Sequence, residues 1–486
     1  MTLYEELEWR GLIKDVAGED IKDKINGGNI SFYWGTDPTA DSLHLGHYSS
    51  LVTAKRLAKA GHHPILLVGG ATGLIGDPRP TAERELIAKE TIEKNIEGIK
   101  AQVSRIFEGK AEIVNNYDWM KDFSFLDFLR DVGKYINVSY MLGKDIISRR
   151  LETGITFAEF SYTLIQGYDF LHLFRTKNCV LQAEGADQWG NITTGLELIR
   201  KLEGKDAYGF TMPLVLDKYG NKFGKSAGNA LWLDLNRTSG YELYQYLINV
   251  DDSMVGSYLR IFTFLSKEEI EELEARNAAN PELREAHKAL AREIITDLHG
   301  EAEFQKAVAI SEALFSGKVK DLSLSDIKVG FKDVPTVELV EEGIPLIDLL
   351  VNNKICSSRR EAREFLAAGS ITLNGDKVTE EGQPITRQLA IEGEVIVLRR
   401  QSTPSTTVRT LALLKSGVVS SALTDQSKPQ SKSNVPLGYS PKNGNTIAAD
   451  NRNAVRRLNF LLIVFLLKMI VYNKLYHIFC EKTIHF

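Results

Sequence analysis

Cysteine is scarce in this sequence: its 486 residues include three, Cys179, Cys356 and Cys480. Their number and spacing match neither a disulfide framework nor a metal-binding cluster, which argues against a small disulfide-stapled secreted fold. A reducing compartment is the expected environment, and we predict a cytoplasmic protein. The first residues, MTLYEELEWRGLI, also lack the long apolar core that a secretory signal peptide requires.

An uninterrupted apolar run long enough to cross a bilayer is also missing. The candidate is at residues 460–467, followed by Lys468 and the apolar residues 469–472. A spanning helix needs about 20 apolar residues, and a lysine near its centre costs about 2.5–3.5 kcal/mol. This segment is therefore not predicted to span a membrane. Two alternatives stay open for it: contact with a membrane surface or a partner, and an extension without a role.

Acidic residues outnumber basic ones in the body of the chain. The net charge is −5, and residues 401–486 alone carry +8, so residues 1–400 carry −13. An acidic body does not exclude an RNA partner, but it requires local basic patches rather than a global field. The length and the 43% apolar composition predict two to four domains with a large core.

Short apolar runs alternate with helical patterns through the first half of the sequence. Residues 30–33, 64–68, 179–182 and 213–216 predict buried strands. This order predicts an α/β fold with a doubly wound, Rossmann-like domain over residues 1–227. A helical domain is predicted over 228–325, a linker over 326–342, a small α+β RNA-binding domain over 343–400, and a disordered basic tail over 401–486.

Residues 32–47, FYWGTDPTADSLHLGH, form the stretch around which a ligand site is predicted. The pattern indicates a strand, a loop and a helix N-terminus, where backbone N–H groups and the helix dipole favour an anion. His44 and His47 flank Gly46, which has no Cβ, so a flat ligand can approach the backbone there. Histidines three apart at a helix start are more often capping or packing residues, so this stretch alone does not decide the function.

A second stretch, residues 222–226 (KFGKS), follows a glycine-containing turn. Two lysines three apart on such a loop can converge on one polyphosphate, although a charge pair is usually a solvated face. Residues 69–78 add a glycine-rich loop directly after a predicted strand. Open α/β sheets bind their ligands at that position.

In this order, HLGH and KFGKS resemble the two signatures of class I aminoacyl-tRNA synthetases. TDPTADSLHLGH, GATGLIGDP, YTLIQGYDF and ADQWGN closely resemble bacterial-type tyrosyl-tRNA synthetases, and the resemblance covers about residues 1–400. It implies a tyrosine–tRNA ligase that activates L-tyrosine with ATP and transfers the tyrosyl group to tRNA(Tyr). Mg²⁺ is implied as a companion of ATP, and no protein-bound metal is expected.

The resemblance also implies roles for individual residues. Catalytic roles, mainly on the ATP phosphates and the departing pyrophosphate, are implied for His44, His47, Thr39, Lys222, Lys225, Ser226 and Arg84. Tyrosine binding is implied for Tyr33 and Asp169 at the phenol, for Asp77, Tyr162 and Gln166 around the ammonium, and for Gln188. Nucleotide binding is implied for Gly35, Asp37, Gly46, Asp187, Lys222 and Lys225. Tyr162, Gln166 and Asp169 lie at i, i+4 and i+7, so one helix face can present all three.

Residues 343–400 resemble the alpha-L RNA-binding motif. A helical pattern carries Arg359, Arg360 and Arg363, and Asn374-Gly375 gives a hairpin signal after it. We predict that these arginines contact RNA phosphates, although an arginine cluster is usually only a solvated helix face. The resemblance further implies a homodimer that forms through the region of residues 117–162.

Three departures from the resembled pattern are visible. Trp34 stands where many relatives have a small residue beside the ribose. The segment after Asp77 is one residue shorter and lacks a lysine, which Arg79 or Arg84 could replace; we favour Arg84. Residues 401–486 have no counterpart.

Two other functions are considered. One is an RNA-binding or RNA-splicing protein that reuses the fold without catalysis, and the intact signatures argue against it. The other is a tryptophanyl enzyme. The pairing of Tyr33 with Asp169, together with DQWGN, argues against that alternative.

Overall fold

A six-stranded sheet organises the first part of the chain. The computed structural model describes residues 1–78, 84–151, 153–226, 229–332, 334, 336–339, 342–400 and 410–416, all within one unit, Met1–Val418. The strands of the sheet are β1 (Val16–Ala17), β2 (Ser31–Thr36), β3 (His63–Val68), β4 (Glu112–Asn115), β5 (Cys179–Gly185) and β6 (Tyr208–Met212). Their order is β1-β6-β5-β2-β3-β4, and every neighbouring pair is parallel except β1 with β6.

Helices alternate with these strands. They are α1 (Leu3–Trp9), α2 (Ile21–Gly27), α3 (Leu45–Lys59), α4 (Lys89–Ile106), α5 (Tyr117–Met120), α6 (Phe125–Asp131), α7 (Val138–Leu142), α8 (Asp145–Leu151), α9 (Phe157–Lys177) and α10 (Trp189–Glu203). α3 connects β2 with β3, and α10 connects β5 with β6. The alternation confirms the predicted doubly wound α/β fold.

Helix α9 begins and ends on local signals in the sequence. The side chain of Thr156 accepts a hydrogen bond from Glu159 N–H, and the Glu159 carboxylate accepts one from Thr156 N–H, which is a capping box. The helix ends at Asn178, whose left-handed φ of 51° is a common helix stop. Tyr162 and Asp169 lie on its buried side. The local sequence therefore fixes both the length of α9 and the face that it presents to the sheet.

The strand order creates a crevice between β2 and β5. β2 pairs with β3 as far as Thr36, but it pairs with β5 only as far as Tyr33, so β2 and β5 separate beyond that residue. The chain continues from β2 towards β3 on one side, and from β5 towards β6 on the other. This is a topological switch point, where open α/β sheets bind ligands.

One predicted strand, at residues 213–216, is not part of the sheet. The apolar pattern predicts a strand at residues 213–216, but β6 ends at Met212, directly before Pro213. Proline has no N–H for the strand ladder, and it restricts the residue before it. Residues 213–216 therefore begin the connection that leads to the lysine motif.

A helical region follows a short hairpin of β7 (Lys225–Ser226) and β8 (Asn229–Ala230). Its helices are α11 (Gly240–Ile248), α12 (Asp252–Phe262), α13 (Lys267–Ala279), α14 (Glu285–His299), α15 (Glu301–Ser316) and α16 (Leu324–Gly330). One continuous apolar core joins this region to the sheet. Polar contacts reinforce the junction: Asp297 on α14 accepts a hydrogen bond from the Tyr48 hydroxyl (2.7 Å) and pairs with Lys55, both on α3. The helices thus hold α3, the helix that follows the first signature.

The last described part has its own sheets and core. Its elements are β9 (Thr336–Leu339), β10 (Ile344–Pro345), α17 (Leu346–Asn352), α18 (Arg359–Ala367), β11 (Ile371–Leu373), β12 (Asp376–Lys377), β13 (Pro384–Ile385), β14 (Val395–Arg400) and β15 (Thr410–Ser416). The larger sheet has the order β12-β11-β14-β15-β9. Val395 and Val397 of β14 pack with Ile310 and Phe331 of the helical region. This part is therefore packed against its neighbour.

The predicted linker and tail need correction. Residues 326–342 include most of α16 and all of β9, so the short polar stretches there hide ordered elements. β15 pairs with β14 and β9, and the prediction of disorder from residue 401 onward is wrong for residues 410–416. The polar average composition of the tail conceals the apolar run LALL at 411–414, which can complete a sheet.

The remaining tail, including the apolar segment at 460–472, lies outside the described residues. Within the part of the chain that the structure describes, no helix combines the length and the apolar character that a bilayer crossing requires.

Candidate active site

A buried tyrosine and a buried aspartate lie at one end of the crevice. The hydroxyl of Tyr33 on β2 has no hydrogen-bond partner among the described residues, although Gln182 lies beside it on β5. The carboxylate of Asp169 on α9 accepts hydrogen bonds from Asn116 Nδ2 (2.9 Å) and Trp119 Nε1 (2.8 Å). Burial raises the pKa of Asp169 to about 7, and the two donors act in the opposite direction. The pair offers a donor and an acceptor to one buried polar group.

The sequence argument missed Asn116 and Trp119. Asn116 also donates to Thr72 Oγ1 (3.1 Å), and it accepts a hydrogen bond from Ala71 N–H (2.7 Å) in the glycine-rich loop. Both missed residues follow β4, whose carboxyl end meets the same edge of the sheet as that of β2. Position after a parallel strand is the signal that could have identified them.

Asp37 links this pocket to the middle of the crevice. Its carboxylate accepts hydrogen bonds from Thr72 Oγ1 (2.7 Å) and from the Tyr162 hydroxyl (3.0 Å). Burial raises the pKa of Asp37, and these two hydrogen bonds lower it. We predicted a nucleotide contact for Asp37; in the structure both of its carboxylate oxygens accept hydrogen bonds from protein side chains. Thr39, on the same loop, is exposed.

Several residues predicted to surround the tyrosine ammonium lie in one cluster. It consists of the Asp77 carboxylate and the side-chain amides of Gln166, Gln188 and Asn191. Asp77 accepts a hydrogen bond from Gln188 Nε2 (3.0 Å), and Asn191 Nδ2 lies 3.4 Å from its other carboxylate oxygen. The two hydrogens of Asn191 Nδ2 are donated to Gln166 Oε1 (2.8 Å) and to Gln188 Oε1 (2.9 Å). Burial raises the pKa of Asp77 to about 7. Asn191 was not predicted as a site residue, although it belongs to the motif ADQWGN.

Arg84 lies at the edge of this cluster. Its Nε donates to the backbone oxygen of Asp77 (2.8 Å), and its side chain packs over Gly76. Its positive charge lowers the pKa of Asp37, of Asp77 and of the Tyr162 hydroxyl. The structure thus brings Arg84 to the predicted site, whereas Arg79 lies outside the described residues.

The two histidines of the first signature stack at the start of α3. Their ring centroids are 3.8 Å apart, and His47 Nδ1 accepts a hydrogen bond from His44 N–H (3.3 Å). Burial, together with the charges of His44 and Lys222, lowers the pKa of His47 to about 3. His47 is therefore neutral at pH 7 and can donate one hydrogen bond. A Cβ added at Gly46 would lie 2.9 Å from the His44 ring, so a larger residue at this position would displace that ring.

The lysine loop packs directly on this helix start. Leu45 N–H donates to Leu231 O (2.8 Å), and a Cβ at Gly224, whose φ is +81°, would lie 2.9 Å from Leu45 Cβ. Phe223 is buried against Tyr246 and aromatic residues of α12. The two signature motifs are therefore adjacent in space. The backbone of Lys225 and Ser226 forms β7.

Comparison with known proteins decides the family. Residues 25–316 match the family described as tRNA synthetases class I (W and Y), and residues 326–402 match the tyrosine–tRNA ligase SYY-like C-terminal domain. The chain is 50% identical over 409 residues to the tyrosine–tRNA ligase of Bacillus velezensis, which covers 82% of this chain and 97% of that protein. It is 49% identical to tyrosine–tRNA ligase 1 of Bacillus subtilis with the same coverage. The chain belongs to the tyrosyl-tRNA synthetases.

A solved structure agrees with this assignment. The C-terminally truncated mitochondrial tyrosyl-tRNA synthetase of Aspergillus nidulans has a TM-score of 0.58 and 32% identity, over 65% of this chain and 94% of that one. The enzyme is thus a tyrosine–tRNA ligase, which uses ATP to activate L-tyrosine and transfers the tyrosyl group to tRNA. The interpretation as a tryptophanyl enzyme is not supported.

Two further buried side chains, Trp34 and Glu184, lie at the crevice of this synthetase. Trp34 is buried in the core, and its Nε1 donates to Ser50 Oγ on α3 (2.9 Å). Glu184, near the end of β5, is also buried and accepts a hydrogen bond from Gly35 N–H. Asp187 follows on the turn after β5. The sequence argument noted Trp34 but missed Glu184, whose signal is a single acidic residue in the strand CVLQAEG.

Proposed function

We propose that the crevice between β2 and β5 binds tyrosine and ATP together and forms tyrosyl-adenylate there. One observation supports this most directly: the two signature motifs and Asp77 follow the carboxyl ends of parallel strands, and the Tyr33–Asp169 pair lies where β2 and β5 separate. The phenol of tyrosine would lie between Tyr33 and Asp169. Its ammonium would lie at Asp77, with Gln166, Gln188 and Tyr162 around it.

The first step needs no nucleophile from the protein. An oxygen of the tyrosine carboxylate attacks the α-phosphorus of ATP, the bond to the bridging oxygen breaks, and pyrophosphate leaves with the negative charge. The protein's contribution is to hold the two reactants in line and to stabilise the charge that grows on the phosphates. In the second step a hydroxyl of the terminal ribose of tRNA attacks the tyrosyl carbonyl carbon, and AMP leaves.

The charges around the nucleotide fit these roles. Neutral His47 can donate a hydrogen bond to a phosphate oxygen, and His44 lies stacked on it. Lys222 and Lys225 would supply positive charge to the departing pyrophosphate, with Ser226 beside them. Mg²⁺ would bind to the phosphates of ATP as part of the substrate.

The C-terminal part is proposed to bind tRNA through α18. Arg359, Arg360 and Arg363 are exposed and form ion pairs with Asp348, Glu364 and Glu381, respectively. Such exposed pairs contribute little to stability, so RNA phosphates can replace the acidic partners at small cost. The domain boundaries predicted from the sequence remain a proposal, with the third domain extended to include β9 and β15.

Replacing Arg359, Arg360 and Arg363 together by Ala is expected to separate the two steps. In the wild type, tyrosine should support ATP–pyrophosphate exchange better than any of the other nineteen amino acids. The triple variant should keep the tyrosine-dependent exchange activity. The KM for tRNA should rise by roughly 10-fold or more, because three phosphate contacts are lost. The dependence of log KM on log salt should also become less steep, by up to about 3 units.

Lys22, Lys110 and Lys177 offer a matched control, because they also form surface ion pairs and lie on the catalytic part. Their replacement by Ala removes the same charge and should leave the KM for tRNA unchanged. If both triple variants charge tRNA equally well, α18 is not the RNA-binding surface.

We also propose that the enzyme is a homodimer. Helices α6 to α9 expose large apolar side chains within the predicted region 117–162, including Phe125 (62% exposed), Leu126 (75%), Val138 (60%) and Phe157 (65%). Exposed apolar patches of this kind mark protein–protein contacts. A second copy of the chain is the occupant that the family resemblance implies. A cytoplasmic location is proposed as well, and it fits the two described cysteines, which are buried free thiols.

Replacing Leu126 by Asp is expected to convert the dimer to a monomer, because a buried carboxylate would have no partner in an apolar interface. Light scattering coupled to gel filtration measures the mass directly. Leu86 is 78% exposed and lies outside the patch, so Leu86→Asp is the matched control and should remain a dimer. A wild-type protein with the mass of one chain would contradict the proposal.

A further inference from the structure

Glu184 is a buried acid at the point where β2 and β5 separate. The ladder between these strands ends at the pair Tyr33 and Gln182, whereas β5 continues to pair with β6 through Gly185. Two residues beyond the end of the ladder, Gly35 N–H donates to Glu184 Oε1 instead of to a strand carbonyl. The side chain therefore bridges the gap in the sheet that forms the floor of the crevice.

The surroundings of Glu184 belong to the nucleotide end of the site. Gly35 is followed by the loop that carries Asp37 and leads to the first signature. Asp187 lies close enough to raise the pKa of the Glu184 carboxyl group, and Glu184 in turn raises the pKa of the Tyr33 hydroxyl. Glu184 thus lies between the predicted tyrosine pocket and the predicted ATP contacts. No described donor other than Gly35 N–H is paired with its carboxyl group.

We propose that Glu184 is a positioning residue for ATP, which acts by fixing the backbone amide of Gly35 at the floor of the crevice. This inference rests on the placement of the nucleotide beside Gly35 and Asp187 proposed above. Without the bridge, β2 beyond Tyr33 would lack a partner on its β5 side, and the loop that contacts the nucleotide would lose its anchor. Small displacements of this kind reduce rates strongly, since about 1 Å of misplacement can cost roughly 100-fold.

The chemical form of Glu184 sharpens the test. Burial raises the pKa of Glu184 well above its usual value, and the nearby Asp187 raises it further. Both effects favour the neutral form of this carboxyl group. A glutamine has the same shape, keeps the oxygen that accepts from Gly35 N–H, and carries no charge. Glu184→Gln should consequently preserve the function that Glu184→Ala removes.

Steady-state ATP–pyrophosphate exchange with the full-length enzyme tests the proposal. We expect Glu184→Ala to raise the KM for ATP by roughly 10-fold or more, with the KM for tyrosine within about twofold of the wild-type value. Glu184→Gln should recover most of the ATP affinity. An unchanged KM for ATP in Glu184→Ala would overturn the proposal, and so would a Gln variant as impaired as the Ala variant.

Thr211→Val is the control for a general loss of sheet stability. Thr211 pairs with Glu184 in register on β6, is buried, and donates to Asp15 (2.6 Å), which lies near the N-terminus of the chain. Thr211→Val should leave the KM for ATP unchanged. An equal rise of this KM in Thr211→Val and Glu184→Ala would show that Glu184 is merely structural. Asp187→Asn distinguishes the role of Glu184 from the placement of the nucleotide beside Asp187. If it raises the KM for ATP and Glu184→Ala does not, only the role of Glu184 is wrong; if neither does, the nucleotide placement is wrong as well.

Discussion

Replacing Lys222 by Ala is expected to lower the rate of tyrosyl-adenylate formation by roughly 100-fold or more, while tyrosine affinity changes by less than about twofold. The reason is that the negative charge on the pyrophosphate develops during the reaction. Negative charge on the pyrophosphate is greatest as the bond to the α-phosphorus breaks, so a lysine at that position stabilises the transition state more than the bound substrates. Pre-steady-state adenylation kinetics measure this step directly.

The structure explains why Lys222 can act from a fixed position although it is exposed. The turn before it is held by Asp217, whose carboxylate accepts hydrogen bonds from Tyr219 N–H and Asn221 N–H (both 2.8 Å). The residue after it, Phe223, is buried in an aromatic cluster. The lysine therefore lies on a short segment that is anchored on both sides, beside His47.

Lys218 provides a control within the same loop. It is a lysine on the same turn, but it forms an ion pair with Asp251. Lys218→Ala should leave the adenylation rate unchanged, since its charge is directed to α12 and its helix cap. Lys225→Ala should resemble Lys222→Ala, as the spacing of the motif implies. Equal rates for Lys222→Ala and the wild type would remove Lys222 from the mechanism.

The sequence predicted those parts of the site that depend on local chain geometry. Tyr162, Gln166 and Asp169 share a helix face because their spacing requires it, and α9 places Tyr162 and Asp169 on its buried side. The two signature motifs could be recognised in the sequence because each follows a strand or turn pattern. The α/β order was visible because strands of a parallel sheet are buried on both faces and read as apolar runs.

Residues that act through long-range contacts were missed. Asn116 contacts Asp169 across 53 positions of the chain, and Glu184 contacts Gly35 across 149. Neither partner can be found from spacing, because the fold alone brings them together. The errors at residues 326–342 and 410–416 have a different cause. Strands such as β9 and β15 are stabilised by pairing with a sheet, so an average over the composition of the surrounding segment does not detect them.

Tyrosine is expected to be distinguished from phenylalanine by Tyr33 and Asp169. The two amino acids differ by one hydroxyl, and an apolar pocket that accepts one ring accepts the other. A pocket with buried polar groups can discriminate, because phenylalanine leaves them unpaired at about 1–3 kcal/mol for each group. The Tyr33 hydroxyl is such a group, since it is buried and has no partner among the described residues. Asp169 is buried beside it.

Two substitutions test this assignment by exchange kinetics with both amino acids. Tyr33→Phe removes one partner and should reduce the preference for tyrosine by roughly 10-fold. Asp169→Asn should lower kcat/KM for tyrosine more, by roughly 100-fold or beyond, because its amide group would face two donors, Asn116 and Trp119, that now bond to the carboxylate. Tyr168→Phe is the control, since Tyr168 is next to Asp169 in sequence but packs on Phe123. Wild-type ratios in both variants would contradict the assignment.

The pH dependence of the same variants adds an independent measurement. The pKa of Asp169 is about 7 in the folded protein against an ordinary 3.8, so the folded, ligand-free enzyme binds more protons than the unfolded chain between these values. The contribution of this group to the free energy of unfolding is therefore complete below about pH 4 and is lost as the pH rises through 7. Tyrosine binding has the opposite preference, because the phenol O–H donates best to the ionised carboxylate. We expect the unfolding temperature of the free enzyme to fall and tyrosine affinity to rise as the pH increases from about 4 to about 7, with both levelling off above about pH 8, and Asp169→Asn should weaken both trends.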